Sequence, residues 1–328
     1  MARPVAAMPV GAQAVQVAPD EAASAIAAAL LDLSHPPTFD CNEVLARGIR
    51  IVEQHAASPA TSDLVLRILA LADRADTSPT IWPKIQGLLG IAALHGTAVH
   101  DLRSALALRA SHLGDAAKYR ELSPRAEYAL AALAIGPFGD SLDDGFGRNE
   151  LPEFALPTLD AKLEGRFGAP VSWRLVEARP LATRLELEPR GLGSKGRGTQ
   201  FGLIQVDAQE TRPAFVQLTC NGSHEAWWNG SKIASIHRVV DRGPTRQYHG
   251  ILLRKGWNHL LIKCSEPNAS SFSARFTDEG DRAITEPALR IESKAELHEI
   301  AAVPDVDVAA PMKFVDSFAW LEARLAER

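Results

Sequence analysis

Few residues of this chain have both the type and the spacing that chemistry requires. Gly191, Gly193 and Gly196 fall in a G-x-G-x-x-G pattern, the form of a loop that brings backbone amides to a pyrophosphate. That use needs a helix opening at the last glycine, so that amides and helix dipole meet the phosphate. The residues that follow, QFGLIQVD, read as a strand, and no lysine strand or catalytic loop of a kinase comes after them. The glycines therefore read as a flexible hairpin loop. Asp140, Asp143 and Asp144, with Glu150, gather hard oxygen donors in a Gly-rich stretch that fits either a structural calcium ion or a solvated loop. Trp227, Trp228 and Trp257 lie near turns, with Asn229 at the first, where indole faces either stack on sugar rings or pack into a core. Strand alternation places the adjacent Trp227 and Trp228 on opposite faces of a sheet.

The remaining candidates supply no reaction. His95 and His100 are five apart, which does not align them on one helix face, and no cysteine or carboxylate completes a zinc-type set. Serine, histidine and aspartate occur without a nucleophile-elbow pattern. The three cysteines, Cys41, Cys220 and Cys264, lack knuckle or redox spacing. Cys220 and Cys264 both end expected strands of one sheet and are read as buried thiols rather than as a bridge. The chain is accordingly expected to be non-catalytic, with no cofactor beyond that calcium ion.

Bulk properties narrow the partners. A formal net charge of -5, with acidic and basic residues interspersed, gives neither a nucleic-acid footprint nor a polybasic membrane patch. With 46% hydrophobic residues the chain can bury a sizeable core, and its 328 residues favour about two domains. No apolar run is long enough to span a bilayer. Near the N-terminus, Pro9, Gly11 and Gln13 interrupt the hydrophobic core that a leader peptide needs.

Two kinds of element must position these residues. Up to about residue 131 apolar residues recur at helical spacing, in EAASAIAAALLDL, NEVLARGIRIVEQHA, SDLVLRILALADRA and the span 81–113. Short breaks such as His35-Pro36-Pro37, Ser58-Pro59 and His95-Gly96 divide them, which predicts a small helical bundle or a degenerate, tetratricopeptide-like repeat. Beyond residue 131 the period shortens towards two. Strands are expected at 132–135, 171–178, 184–188, 200–207, 215–220, 225–228, 232–237, 248–254, 259–264 and 272–277. Asn229-Gly230 predicts a type I′ turn with Trp227-Trp228 paired against Ser231-Lys232, and Lys255-Gly256 is a second turn signal. So many short strands without crossover helices indicate an antiparallel β-sandwich.

Several ordered stretches carry a resemblance: Ile135-Gly136-Pro137-Phe138, Val171-Ser172-Trp173-Arg174, Trp227 to Lys232, Leu253 to Leu260, and Ala274-Arg275-Phe276-Thr277-Asp278. Over roughly 132–285 the chain resembles bacterial envelope-type jelly-roll modules related to galactose-binding-like and protective-antigen-type sugar-binding domains. At Thr219-Cys220-Asn221-Gly222 it departs from the acidic loop such modules often carry. The resemblance implies a glycan or protein partner and an envelope or periplasmic location, while the candidate sugar-facing set, Trp227, Trp228, Trp257 and Asn229, follows from the placing of these residues at the turns. Together with the change of period near residue 131, the resemblance sets the expected organisation as α+β: a flexible 1–20, a helical 21–131, a jelly-roll sandwich at 132–290, and a linker with an amphipathic helix at 291–328. The expected function is a non-catalytic binding or scaffolding protein, the alternative being an accessory region of a larger transglutaminase-like or peptidase envelope enzyme.

Overall fold

The computed structural model describes residues 25–26, 28–30, 33, 41–58, 60–74, 80–139, 146–147, 151–188, 198–220, 222–236, 245–265 and 270–302. The acidic group Asp140, Asp143, Asp144 and Glu150, the glycine loop Gly191 to Gly196 and the expected amphipathic C-terminal helix all lie outside these residues.

The chain divides into two compact units, Met1–Ala93 and Leu94–Arg328. The first holds short helices, α1 (Cys41–Gln54), α2 (Thr61–Arg74) and α3 (Ile81–Gly87). Leu45, Ile49 and Val52 repeat at four- and three-residue steps along α1, so one stripe is buried. Gly48 lies on that stripe, where an added Cβ would stand 3.2 Å from Ile68 of α2; its missing side chain lets the two helices approach.

The second unit begins before the strands. Helix α4 (Gly96–His112) and α5 (Ala116–Leu122) precede them, so the division between units falls well ahead of residue 131. Asp115 caps α5 by accepting a bond from the Lys118 amide at 2.9 Å. The strands are β1 (Ala131–Phe138), β2 (Leu163–Glu164), β3 (Pro170–Val171), β4 (Arg174–Glu177), β5 (Leu185–Glu186), β6 (Thr199–Ala208), β7 (Arg212–Cys220), β8 (Ser223–Trp228), β9 (Ser231–Ile236), β10 (Thr245–Leu253), β11 (Gly256–Ser265), β12 (Ser271–Thr277) and β13 (Leu289–Ile291). Between β1 and β2 a short helix, α6 (Leu151–Phe154), intervenes.

All strand pairings are antiparallel. Among the described residues one large sheet runs β4-β1-β6-β11-β8-β9, with β13 also on β6, a smaller one runs β10-β7-β12-β5, and β2 and β3 form a separate pair. The facing sides of the first two share one core. Ile204, Val206, Trp228, Leu260 and Ile262 of the larger sheet pack with Val216, Leu218, Ile251, Phe272 and Phe276 of the smaller. Period-2 alternation then throws the intervening residues outward, and both outer faces are covered in turn.

Over the smaller sheet lies α4. Tyr248, Gln217 and Arg275 form a row across β10, β7 and β12. Arg275, 2% exposed, bonds Glu127 at 2.9 Å, Asp281 at 3.1 Å and Gln217 at 3.1 Å. Glu127 also takes Arg103 of α4 at 2.6 Å and faces His100 of α4 at 3.1 Å, while Thr97 bonds Asp281. Every arm of the guanidinium thus meets a partner, the condition for burying a charge without a large penalty.

Over the larger sheet a second core forms. Leu133, Ile135, Phe201, Leu203, Trp227 and Leu261 are packed beneath Trp173, Leu156, Leu159, Val171 and Leu297. Lys263, also on this face, reaches Glu153 of α6 at 2.7 Å and lies 5.2 Å from the Phe146 ring.

Two sequence expectations are corrected here. Lys255-Gly256 does not close a hairpin, because β10 and β11 lie in different sheets and the turn carries the chain between them. Cys220 and Cys264 are unbridged as expected but stand in opposite sheets, on β7 and β11.

Candidate functional site

Both β1 and β13 pair with the same edge of β6: β1 with its first half, through Leu203, and β13 with its last residues, Val206 to Ala208. Where the two strands approach each other the sheet edge is interrupted, and a cleft of 640 Å³ opens. Its lining comes from three stretches: Arg125 to Ala131, Glu177 and Ala178, and Ile284 to Ser293. Ile284 and Leu289 belong at the same time to the inner core, so the apolar side of the cleft is continuous with it.

The polar lining is held from behind. Arg125 donates to the Ala182 carbonyl at 3.1 Å and to that of Ala178 at 3.4 Å. The Tyr128 hydroxyl meets His100 at 2.8 Å. Burial alone would raise the Glu127 carboxyl, but the His100 hydrogen bond and the charge of Arg275 outweigh it and hold the group below its ordinary value of 4.5. Glu127 is therefore an anion at neutral pH. Among the described residues the lining holds no histidine or cysteine, and it sets hydrogen-bonding groups beside apolar ones.

The residues expected to face a sugar fall elsewhere. Trp227 and Trp228 do occupy opposite faces, each 6% exposed, Trp227 in the outer core and Trp228 in the inner. Trp228 donates its indole N–H to the Leu252 carbonyl at 2.9 Å and packs 5.9 Å from Phe276. A platform needs a bare ring face, and neither residue has one. Trp257 is stacked on His298 with centroids 3.7 Å apart and planes 2° from parallel, and Arg290 lies 5.2 Å from its centroid. Asn229 works as a tie: its amide donates to Asn258 at 2.9 Å and accepts from the His259 backbone at 2.8 Å.

Asn258 is fully buried and fixes the crossing turn by bonding the Arg254 amide at 3.0 Å and the Arg254 carbonyl at 2.7 Å. Its spacing after Gly256 was visible in the sequence, though its role depends on partners only the fold supplies. Arg275 carried a signal too, as a lone cation in the apolar alternation of β12.

No protein-family model matches the chain, and no curated protein matches it. Among solved structures it is similar to the PA14 domain of the MpAFP antifreeze protein, at 10% identity and a TM-score of 0.30, with 52% of this chain and 94% of that one covered. It is also similar to a family 35 carbohydrate binding module from an environmental isolate, at 14% identity and a TM-score of 0.20, covering 24% of this chain and 66% of the module. An anti-sigma factor domain-containing protein matches at 9% identity and a TM-score of 0.30, covering 49% of this chain and 46% of the other. This chain thus spans less than two thirds of the latter two.

Proposed function

We propose that the second unit is a non-catalytic β-sandwich of the jelly-roll class that binds a carbohydrate in the cleft between β1 and β13. The cleft itself carries the reading. Its 640 Å³ lies within the roughly 300–1,000 Å³ of small-ligand sites. Leu130, Ile284 and Leu289 stand in it beside Arg125, Glu177 and Glu286. A sugar ring presents an apolar C–H face and a rim of hydroxyls, and this pairing of aliphatic side chains with carboxylates and a guanidinium suits both. The helical first unit takes the protein-contact role, with Leu66 of α2 exposed.

A glycan array probed with the full chain, followed by calorimetry on the sugars it selects, tests the reading. Glu177→Ala and Glu286→Ala are expected to weaken binding at least about tenfold, the loss of one or more charge-assisted hydrogen bonds, with unchanged circular dichroism. An empty array, or affinity indifferent to both substitutions, overturns it.

A further inference from the structure

The loop that follows β13 runs across the outer face of the larger sheet and is pinned there at several points. Glu292 donates its amide to the Gln205 carbonyl at 2.9 Å, and Ala301 donates to that of Trp257 at 2.7 Å. The Gln205 side chain accepts the His298 amide at 2.8 Å and donates to the Glu296 carbonyl at 2.6 Å. We infer that Glu292, Glu296 and His298 on this loop form a binding site for a divalent metal ion of the zinc class.

Each of the three residues offers one ligand atom, and these atoms all lie within 4.8 Å of one another. His298 Nε2 is 3.0 Å from Glu292 Oε2 and 3.8 Å from Glu296 Oε2. Donors of a tetrahedral shell with bonds of about 2.1 Å stand about 3.4 Å apart, between those two separations. Small side-chain movements suffice to close the shell. Glu292 is already oriented for it, since its Oε1 accepts the Ser293 and Lys294 amides at 2.8 Å each and leaves Oε2 towards His298. The stack on Trp257 fixes the plane of the imidazole. Two carboxylates and one neutral imidazole balance a dication, and this mixture of nitrogen and oxygen donors is one that zinc-class ions accept.

A separate observation points to a missing group at the same place. His259 stands on β11 directly across from Gln205, the residue that clamps the loop. It is 5% exposed and lies against the His298 backbone, and neither ring nitrogen makes a hydrogen bond of ordinary geometry. A neutral imidazole placed there has one donor and one acceptor to satisfy. Buried polar atoms in that condition ordinarily meet an ordered water or an ion. Three protein ligands leave a fourth position for water, and a metal-bound water gives His259 the partner it lacks.

The competing account is a plain ion pair between Glu292 and His298. Tag-free full-length protein, stripped with a chelator, separates the two when titrated with Zn2+ by calorimetry and with Co2+ by visible absorption. One equivalent is expected to bind at micromolar affinity or tighter, with a ligand-field band for cobalt and quenching of the fluorescence contributed by Trp257. Glu296→Gln leaves both the Glu292–His298 contact and the Trp257 stack in place, and is expected to weaken zinc at least about tenfold; His298→Gln should do the same. Absence of binding overturns the site. So does zinc binding that survives both substitutions unchanged, which assigns the ion to surface imidazoles. No glycan enters the titration, so its failure leaves the cleft reading untouched.

Discussion

At the scale of single residues, two turns of similar local chemistry have different outcomes. Asn229 and Gly230 take φ of 47° and 83°, and Trp227 pairs with Lys232 and Trp228 with Ser231, as the dipeptide and its flanks predict. Lys255-Gly256 has comparable flanks, yet its strands part to different sheets, because burial of Ile251 and Leu253 against the opposing sheet is a non-local fact. No atom lies within 4 Å of where a Gly230 Cβ would stand, so only backbone strain opposes a side chain there. Gly230→Val is therefore expected to cost about 1–3 kcal/mol in a urea titration, and Ser231→Ala less than about 0.5. Equal midpoints would remove the turn from the account. His249 gives a second residue-level prediction. Burial, aided by the charge of His224, depresses its pKa from 6.5 to about 4. An unfolded chain takes up that proton below pH 6.5 while the folded one resists until about 4, so stability falls as pH drops through this window and levels off below it. In His249→Asn, the melting temperature should vary less between pH 6.5 and 4 than in the parent; an unaltered slope would assign the dependence to other groups.

At the scale of elements, each of the ten stretches expected from period-2 alternation holds a strand, although 171–178 breaks into β3 and β4 and 184–188 shrinks to Leu185–Glu186. The ones not legible were β2 and β13, whose two and three residues are too few to show a period. Helix α5 escaped notice because its seven residues follow Gly114-Asp115 closely and look like the fraying end of α4. Less legible still was the joint between α4 and the smaller sheet, since Glu127 and Arg275 are 148 positions apart. That joint predicts its own fragility. Arg275→Met keeps much of the volume but leaves Asp281 and Glu127 with fewer compensating charges, at an expected cost of about 3–5 kcal/mol. Gly96→Ala attacks the same joint from its backbone, because the added Cβ would lie 2.2 Å from the Asp281 carbonyl oxygen, which no rotamer change relieves. Chemical denaturation followed by far-ultraviolet dichroism should rank both below Gly230→Val in stability. Parity with wild type for Arg275→Met would mean that the network is dispensable.

At the scale of the molecule, the candidate cleft was invisible in the sequence because its lining comes from stretches around residues 125–131, 177–178 and 284–293, which only strand order brings together. The same strand order says where the chain can be cut. A fragment spanning 132–290, the sandwich as expected from the sequence, loses His100, Arg103 and Glu127 from around Arg275. It also loses the Ala129 amide bonded to the Ala274 carbonyl, and, at its other end, Leu297 from above the outer core. Buried charge would be left underpaired on one outer face, and apolar surface bared on the other. A fragment beginning at Leu94 and running to the C-terminus keeps every one of these contacts, and matches the second compact unit. The longer fragment should therefore fold alone, with a cooperative urea transition and dispersed amide resonances. The shorter should show a midpoint lower by the equivalent of several kcal/mol, or no cooperative transition at all. Coincident midpoints for the two would show that helix α4 and the loop after β13 are accessories to the sheets rather than parts of their cores.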